Sequence, residues 1–386
     1  MKTTVSFASI VLLFCLQGLS ELLRANEADI NTVAASDLAF ATALYPRLTS
    51  GDQNLVFSPP GVGGLLALAS TGACGPTRMA LLSVLHLPGA SEQTIEAFGE
   101  WKTRLVGDAT NQIAFEWTDT ILRDPSHPLV PAFEDIARLK FGAQIPADPS
   151  LVPDTGLVLK SHVHFFGHWT NAFAVADTKP GPFFLGVGGE VSVPFMHTEN
   201  RFKFFHKTGR LFGIGPGGVS LLELPYGNGS YSMVVLLPDH KTDPASLEES
   251  LPVSLAEWLE ALDRSEPTSV ILSLPRFDTH SELALMGALT SMGLGPACTN
   301  FVADFSQLSP KPTYISKVIQ NAAVKVDEAG TEAEAETVVK LTPFGVSATP
   351  PPEPRVVKVD HPFVFLIRDN KTGAPLFMGR ICDPTR

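Results

Sequence analysis

The chain has 386 residues, 44% hydrophobic and 18% charged, with a formal net charge of −12. That balance can bury a substantial core and excludes a disordered chain. The acidic excess argues against nucleic acid and other polyanions, which need clustered Lys and Arg. The 32 prolines and 31 glycines imply many short elements joined by turns.

Met1–Asn26 reads as a targeting segment, with a signal peptide over residues 1–20. Lys2 gives a positive start, Val5–Leu16 is apolar apart from Ser6 and Ser9, and Gly18 and Ser20 are small residues near a candidate cleavage site. The apolar run is too short to span a bilayer comfortably. The expectation is a secreted, extracellular protein with no membrane span. Cys15 would leave with the signal, so Cys74, Cys298 and Cys382 remain, an odd number that cannot be fully paired. Two sequons fit this compartment: Asn228-Gly229-Ser230 and Asn370-Lys371-Thr372.

The first third carries helical periodicity over Ala34–Leu48, Gly61–Ser70, Arg78–Leu87 and Pro131–Leu139. From Leu157 the pattern turns to strands. Leu157–Phe166 is apolar and extended. Leu221–Pro225 and Ser230–Pro238 flank Gly227-Asn228-Gly229, a hairpin signal, because Asn and Gly accept the backbone angles of a tight turn. Val270–Pro275 is a further strand. Val356–Ile367 and Leu376–Cys382 read as a closing hairpin. Early helices and late antiparallel strands indicate an α+β fold.

Enzyme signatures are missing. There is no Gly-x-Ser-x-Gly elbow, no His-Glu-x-x-His and no pair of Cys-x-x-Cys motifs. Gly213–Gly218 superficially resembles a phosphate loop. No helix pattern opens after it, and Pro216 lacks a backbone donor, so a turn is the better reading. His162 and His164 share one strand face with His168 close behind, but no carboxylate or cysteine completes a metal site. No cofactor or metal is expected.

The long irregular stretch between Gly330 and Pro362 carries the functional argument. From Thr331 a strict alternation begins. Thr331, Ala333, Ala335, Thr337, Val339 and Leu341 form one set; Glu332, Glu334, Glu336, Val338 and Lys340 form the other. In a strand the sets face opposite sides. The first could pack inside a sheet while the glutamates stay in water. An acidic helical linker is the alternative, since Ala and Glu favour helices.

The segment from Glu328 through Gly330, Thr331 and Glu332 resembles the hinge of the serpins. Val357–Ile367 is similar to that family's C-terminal signature. Further matching stretches are Asn54–Pro59, Phe165-x-Gly167-x-Trp169, Leu222–Tyr226, Leu274–Phe277 and Leu376–Arg380, in the family's order. Gly61 and Gln320 are similar to the plasminogen activator inhibitor and protease nexin branch.

The resemblance implies one serpin domain over 34–386. Its fold would pack helices around a large central mixed sheet with two smaller sheets, and expose a reactive loop at about 328–360. It implies a suicide inhibitor of a serine protease, acting as a monomer, and not an enzyme. The protease would cut the loop, which would insert into the sheet as a new strand. Ladder hydrogen bonds of about 1 kcal/mol each would drive insertion. The family's spacing places the scissile bond at Phe344–Gly345, which suits a chymotrypsin-like specificity slot. The hinge would comprise Glu328, Gly330, Thr331, Glu332, Ala333, Ala335 and Thr337; the sheet-opening region, Ser58, Ser161, Trp169 and Gln320. A carrier or signalling protein of the same fold is the alternative.

Three features depart from the family. A few dozen residues are missing between Gln144 and Leu157, where serpins place a helix across the central sheet and one of its strands. Ser161 and His164 replace the family's Asn and Tyr. The loop beyond Phe344 is longer than usual and contains Pro350-Pro351-Pro352. Glu92–Arg104 offers only Lys102 and Arg104 as basic groups, so heparin binding is not expected.

Overall fold

A computed structural model describes residues 27–108, 110, 112–151, 155–186, 188–209, 218–239, 244–331 and 353–386. The signal segment, Gly213–Gly217 and residues 332–352 therefore lie outside the described residues. No described helix is long and apolar enough to cross a membrane.

The helical first third forms much as its periodicity indicates. Helix α1 (Glu27–Leu48) buries Ile30, Val33, Phe40, Leu44 and Tyr45. Helix α2 (Pro59–Thr71) follows the short strand β1 (Leu55–Phe57). The Ser58 hydroxyl caps α2 by accepting from the Gly61 N–H, and the two prolines fit the first turn, where no intrahelical donor is lost. Nearly all of α2 is buried, as its apolar, small-residue composition requires. Helix α3 (Gly75–Val84) stops short of the apolar run that continues to Leu87. His86 takes a φ of 57°, which ends helical geometry. Helices α4 (Glu92–Gly107) and α5 (Pro131–Leu139) complete this region.

The later strands build three sheets. A five-stranded mixed sheet has the order β10 (Phe277–Ala284), β11 (Ile315–Val326), β12 (Gly330–Thr331), β3 (Leu157–His168), β2 (Ile113–Leu122). A six-stranded antiparallel sheet runs β1, β15 (Pro375–Ile381), β14 (Phe363–Asp369), β8 (Tyr231–Pro238), β7 (Val219–Tyr226), β6 (Phe204–Lys207). A four-stranded sheet runs β13 (Arg355–Lys358), β9 (Thr268–Pro275), β5 (Glu190–Phe202), β4 (Lys179–Phe184). Helix α6 (Pro244–Asp263) packs against β6 and β7.

The β7–β8 hairpin turns at Gly227 and Gly229 with φ of 52° and 87°, as the Gly-Asn-Gly signal requires. The apolar run Val356–Ile367 is not one strand. It breaks at Val359–Pro362: β13 joins β9 in parallel, and β14 pairs β15 in another sheet. Pro362 cannot donate to a ladder. The His361 imidazole sits between the Asp360 carboxylate and the Pro238 carbonyl, 2.8 Å from each, and fixes the corner.

The shortened stretch before Leu157 has a definite course. Gln144 and Ala147 bridge in parallel to Thr120 and Arg123 along the free edge of β2. The chain turns at Asp148–Ser150, and β3 then pairs on the other side of β2, with Val158 opposite Leu122. Among the described residues no helix lies between Leu139 and Leu157.

Candidate functional site: the hinge and the sheet that receives it

The hinge starts from a tight turn at the end of β11. Asp327 donates its N–H to the Gly330 carbonyl at 2.8 Å, and its carboxylate accepts from the N–H groups of Ala329 and Gly330. Gly330 is obligatory here. Its φ is 153°, and a Cβ would lie 1.9 Å from the Gly167 carbonyl oxygen.

Three groups hold the turn against the body. The Trp169 indole donates to the Asp327 carbonyl at 2.9 Å, and its backbone N–H donates to Ala329 at 2.8 Å. The Phe173 N–H donates to the Glu328 carbonyl. The Glu328 carboxylate accepts from the Arg276 guanidinium, with Nε at 2.7 Å, and from the Thr178 hydroxyl. Burial pushes that carboxyl up, but the hydrogen bonds from Arg276 and Thr178 outweigh it and hold Glu328 below the usual carboxylate range.

Thr331 is fully buried. It is seated between two strands, opposite Val326 of β11 and Gly167 of β3. Its hydroxyl lies 2.9 Å from the Tyr226 hydroxyl. Burial pushes the Tyr226 phenol far up, against the opposing Thr331 bond, so it stays neutral. The Tyr226 ring stacks on Trp169 with centroids 4.3 Å apart. The Thr331 hydroxyl is therefore held by the same aromatic pair that latches the hinge.

Below Thr331, β11 and β3 pair directly and in parallel, from Ile315 opposite Leu157 to Ala323 opposite His164. Gln320, Ser161 and Ser58 meet under this ladder. The Gln320 amide accepts from the Ser58 N–H at 2.9 Å and donates to the Ser58 carbonyl at 2.8 Å. Gly61 leaves the room for this: a Cβ there would sit 2.7 Å from Ser161 Oγ and 2.8 Å from Gln320 Nε2. Ser161 stands opposite Asp119 of β2. Asp119 is buried, paired with Lys102 of α4 at 2.8 Å, and accepts from the Trp117 indole at 3.0 Å. Burial raises its carboxyl despite the Lys102 charge.

The structure thus brings Glu328, Gly330 and Thr331 together with Trp169 at the hinge, and Ser58, Ser161 and Gln320 beneath it. Glu332, Ala333, Ala335, Thr337, Phe344 and Gly345 lie outside the described residues. Sequence reasoning missed the roles of Tyr226, Arg276 and Asp327. Tyr226 and Arg276 lie within two of the matching stretches, Leu222–Tyr226 and Leu274–Phe277, so their positions were marked without their partners. Both cations of α4 are committed: Lys102 to Asp119, and Arg104 to Glu27 at 3.3 Å. Asn228 and Asn370 are exposed. Asn370 Nδ2 donates to the Gly229 carbonyl at 2.9 Å and its Oδ1 accepts from Ser232, whereas Asn228 uses only its oxygen, toward Ser230. His162, His164 and His168 line up on β3, and among the described residues no group of three His, Cys, Asp or Glu could hold a metal.

Three β-sheets with helices packed on them, and a hinge seated between the two central strands of the mixed sheet, define the class as an α+β fold. The family model described as serpin (serine protease inhibitor) matches residues 35–148 and 143–384, and the chain belongs to that family. The two matched pieces meet where the segment before Leu157 is shortened. The chain is 28% identical to Iripin-2 of Ixodes ricinus over 99% of this chain and 98% of that protein. It is 27% identical to antithrombin-III of Mus musculus, over 89% of this chain and 80% of that one. The structure of human thyroxine-binding globulin in complex with thyroxine superposes with a TM-score of 0.79 at 21% identity, covering 93% of this chain and 100% of that one. As a serpin, the protein is an inhibitor-family member and not an enzyme.

Proposed function

We propose that the protein is a secreted suicide inhibitor of a serine protease of chymotrypsin-like preference. The observation that carries this is Thr331, buried between β11 and β3 at the end of the short strand β12. Its parity matches the small-residue set that continues through Ala333, Ala335 and Thr337. The protease serine would attack the Phe344 carbonyl and form an ester, while the Gly345 amine leaves with a proton from the protease's histidine. The freed strand would then extend downward from Thr331, carrying the acyl-enzyme with it. The chain acts as a monomer. Neither cation of α4 is free for heparin, and the exposed Asn228 and Asn370 are the acceptors for glycans.

Incubation with chymotrypsin followed by denaturing electrophoresis tests the reading. A complex that survives denaturation, with the cut mapped after Phe344, is expected. One observation favours a non-inhibitory carrier instead: the shortened course between Gln144 and Leu157. Clean cleavage with an unchanged thermal midpoint would favour that second reading.

A further inference from the structure

A cleft of about 550 Å³ that shares no residue with the hinge lies between the C-terminal end of α1, the end of α3 and the helical segment 286–298. Arg47, Ser83, His86 and Ser291 supply its polar groups, and Val84 and Met292 much of its apolar wall. No carboxylate lines it, although the chain as a whole carries a net charge of −12. The volume, and an apolar wall with a few polar groups, suit a small-molecule site.

Arg47 is held in place without being neutralised. Its Nε donates to Ser291 Oγ at 3.1 Å and its Nη1 to the Ala43 carbonyl, while the Ser291 hydroxyl donates to the Ala288 carbonyl. Among the described residues Nη2 has no partner and the guanidinium pairs with no carboxylate. A fixed guanidinium with a free edge suits a planar oxyanion.

His86 departs from the usual chemistry of a helix end. The Leu87 N–H donates to the Leu82 carbonyl at 2.8 Å and the His86 N–H to the Ser83 carbonyl at 3.0 Å, a closure that normally places glycine at the left-handed position. His86 takes that position with a φ of 57°, which glycine would adopt without strain. Partial burial holds its imidazole below the ordinary range, so at neutral pH it is an uncharged hydrogen-bonding group, and the positive charge of the cleft is that of Arg47. Bare carbonyls at a helix end would repel an anion. Here those of Leu81, Leu82, Ser83 and Leu85 all accept hydrogen bonds, as does that of Ala43. Met79, one turn before Ser83 on α3, is 72% exposed and extends the apolar wall outward.

We propose that this cleft binds a small amphipathic carboxylate. The single uncompensated charge matches a monoanion. Its head pairs with the free edge of Arg47 and takes a hydrogen bond from His86, and its tail covers Val84 and Met292 toward Met79. The strained turn places an imidazole at the mouth of the site, where glycine would leave only backbone. The site does not depend on the inhibitor reading.

Octanoate is the probe, titrated into the full chain at pH 7.4 and followed by ligand-observed NMR. Saturable binding to one site is expected, with a Kd on the order of 0.1–1 mM for a ligand of this size. 1-Octanol, which has the tail without the charge, and acetate, which has the head without the tail, should each bind about tenfold more weakly or worse. Arg47→Gln should weaken octanoate binding about tenfold and keep the thermal midpoint within about 2 °C. His86→Gly should weaken binding while raising the midpoint by about 1 °C, a combination that a folding defect cannot produce. No saturation by about 10 mM octanoate, or an affinity unchanged in Arg47→Gln, would overturn the site. Equal binding of 1-octanol would overturn the recognition of charge, and equal binding of acetate the recognition of the tail.

Discussion

Thr331→Arg tests whether the hinge is a seat that gates insertion. In the structure Thr331 is fully buried, and its hydroxyl meets that of Tyr226. An arginine there would be an unpaired charge in a packed interior, at a cost of several kcal/mol. The opposing grip is weaker. At Gly330 and Thr331 it consists of the Asp327–Gly330 turn bond, the short β12 ladder and the Tyr226 contact, each worth about 1 kcal/mol net, while the Trp169, Phe173 and Arg276 bonds keep the preceding Asp327–Ala329 in place. The charge wins, and the hinge is expelled while the rest of the chain stays folded. Chymotrypsin should then cut the variant without forming a complex that survives denaturation. Hydrogen exchange should show lost protection at Gly330 and Thr331 with the β11–β3 ladder intact. Thr331→Val separates shape from polarity. It leaves the Tyr226 hydroxyl buried without a partner, which costs about 1–3 kcal/mol. At about 2.1 cal/mol/K per residue of unfolding entropy, a chain of this length loses roughly 2 °C of thermal midpoint. Glu332→Gln, on the opposite set, should leave trapping nearly intact. Equal trapping by Thr331→Arg and the unmodified protein would refute the gate.

Other expectations concern the groups around this seat. Gly61→Ser should destabilise by about 1–3 kcal/mol, because its Cβ meets Ser161 Oγ and Gln320 Nε2. Gln320→Ala should relieve part of that cost, and a double-mutant cycle read by urea denaturation should show the coupling. Asp37 of α1 is buried, its carboxylate oxygens have no hydrogen-bond partner among the described residues, and burial pushes its carboxyl well above the usual range. The fold therefore keeps a proton that the unfolded chain releases, so stability falls as pH rises above the unfolded carboxylate value. Asp37→Asn should remove that slope, raising the thermal midpoint more at pH 8 than at pH 5. Glu328 has the opposite sign, since its folded value is lowered. Its anchoring is present above the unfolded carboxylate range and lost as pH falls through the lowered value. Arg276→Gln should move acid release of the hinge, followed by exchange at Ala329–Thr331, to higher pH.

What could be read from the residues depended on the range of the interaction. The turn at Gly227–Gly229 is local, since two positive φ angles need only their own glycines, and the hairpin formed as read. The apolar density of α2 and the apolar, extended character of Leu157–Phe166 likewise depend on neighbours in sequence. The Val356–Ile367 run misled because both halves are apolar and extended, and only the long-range pairings of β13 with β9 and of β14 with β15 and β8 place them in different sheets. The site followed the same division. Gly330 and Thr331 stood out by motif and parity. Their grip comes from Trp169, Tyr226 and Arg276, which reach the hinge from separate parts of the chain, and no spacing encodes that meeting.

The shortened stretch before Leu157 leaves a sheet face and a sheet edge to be accounted for. The edge is answered by the chain itself: backbone bonds from Ile121 to Gln144, from Gln144 to Asp119 and from Asp148 to Arg123 cover part of the free side of β2. An uncovered edge invites pairing with other chains, and even a short cover blunts it. The face is answered by composition. Its outward positions include Glu116 and Thr118 on β2, Lys160 and His162 on β3, and Asn321 and Lys325 on β11, all exposed. A face built to lie under a helix would bury apolar groups there. These polar residues come from three separate strands, so the whole outer face suits contact with water. Among the described residues no helix crosses the sheet, and the contacts that would resist the proposed insertion are the β11–β3 ladder and the Gln320 clasp on Ser58. Gln320→Ala should therefore speed loop insertion after cleavage, measured as the rate at which the thermal midpoint rises. An unchanged rate would place the barrier in the ladder alone.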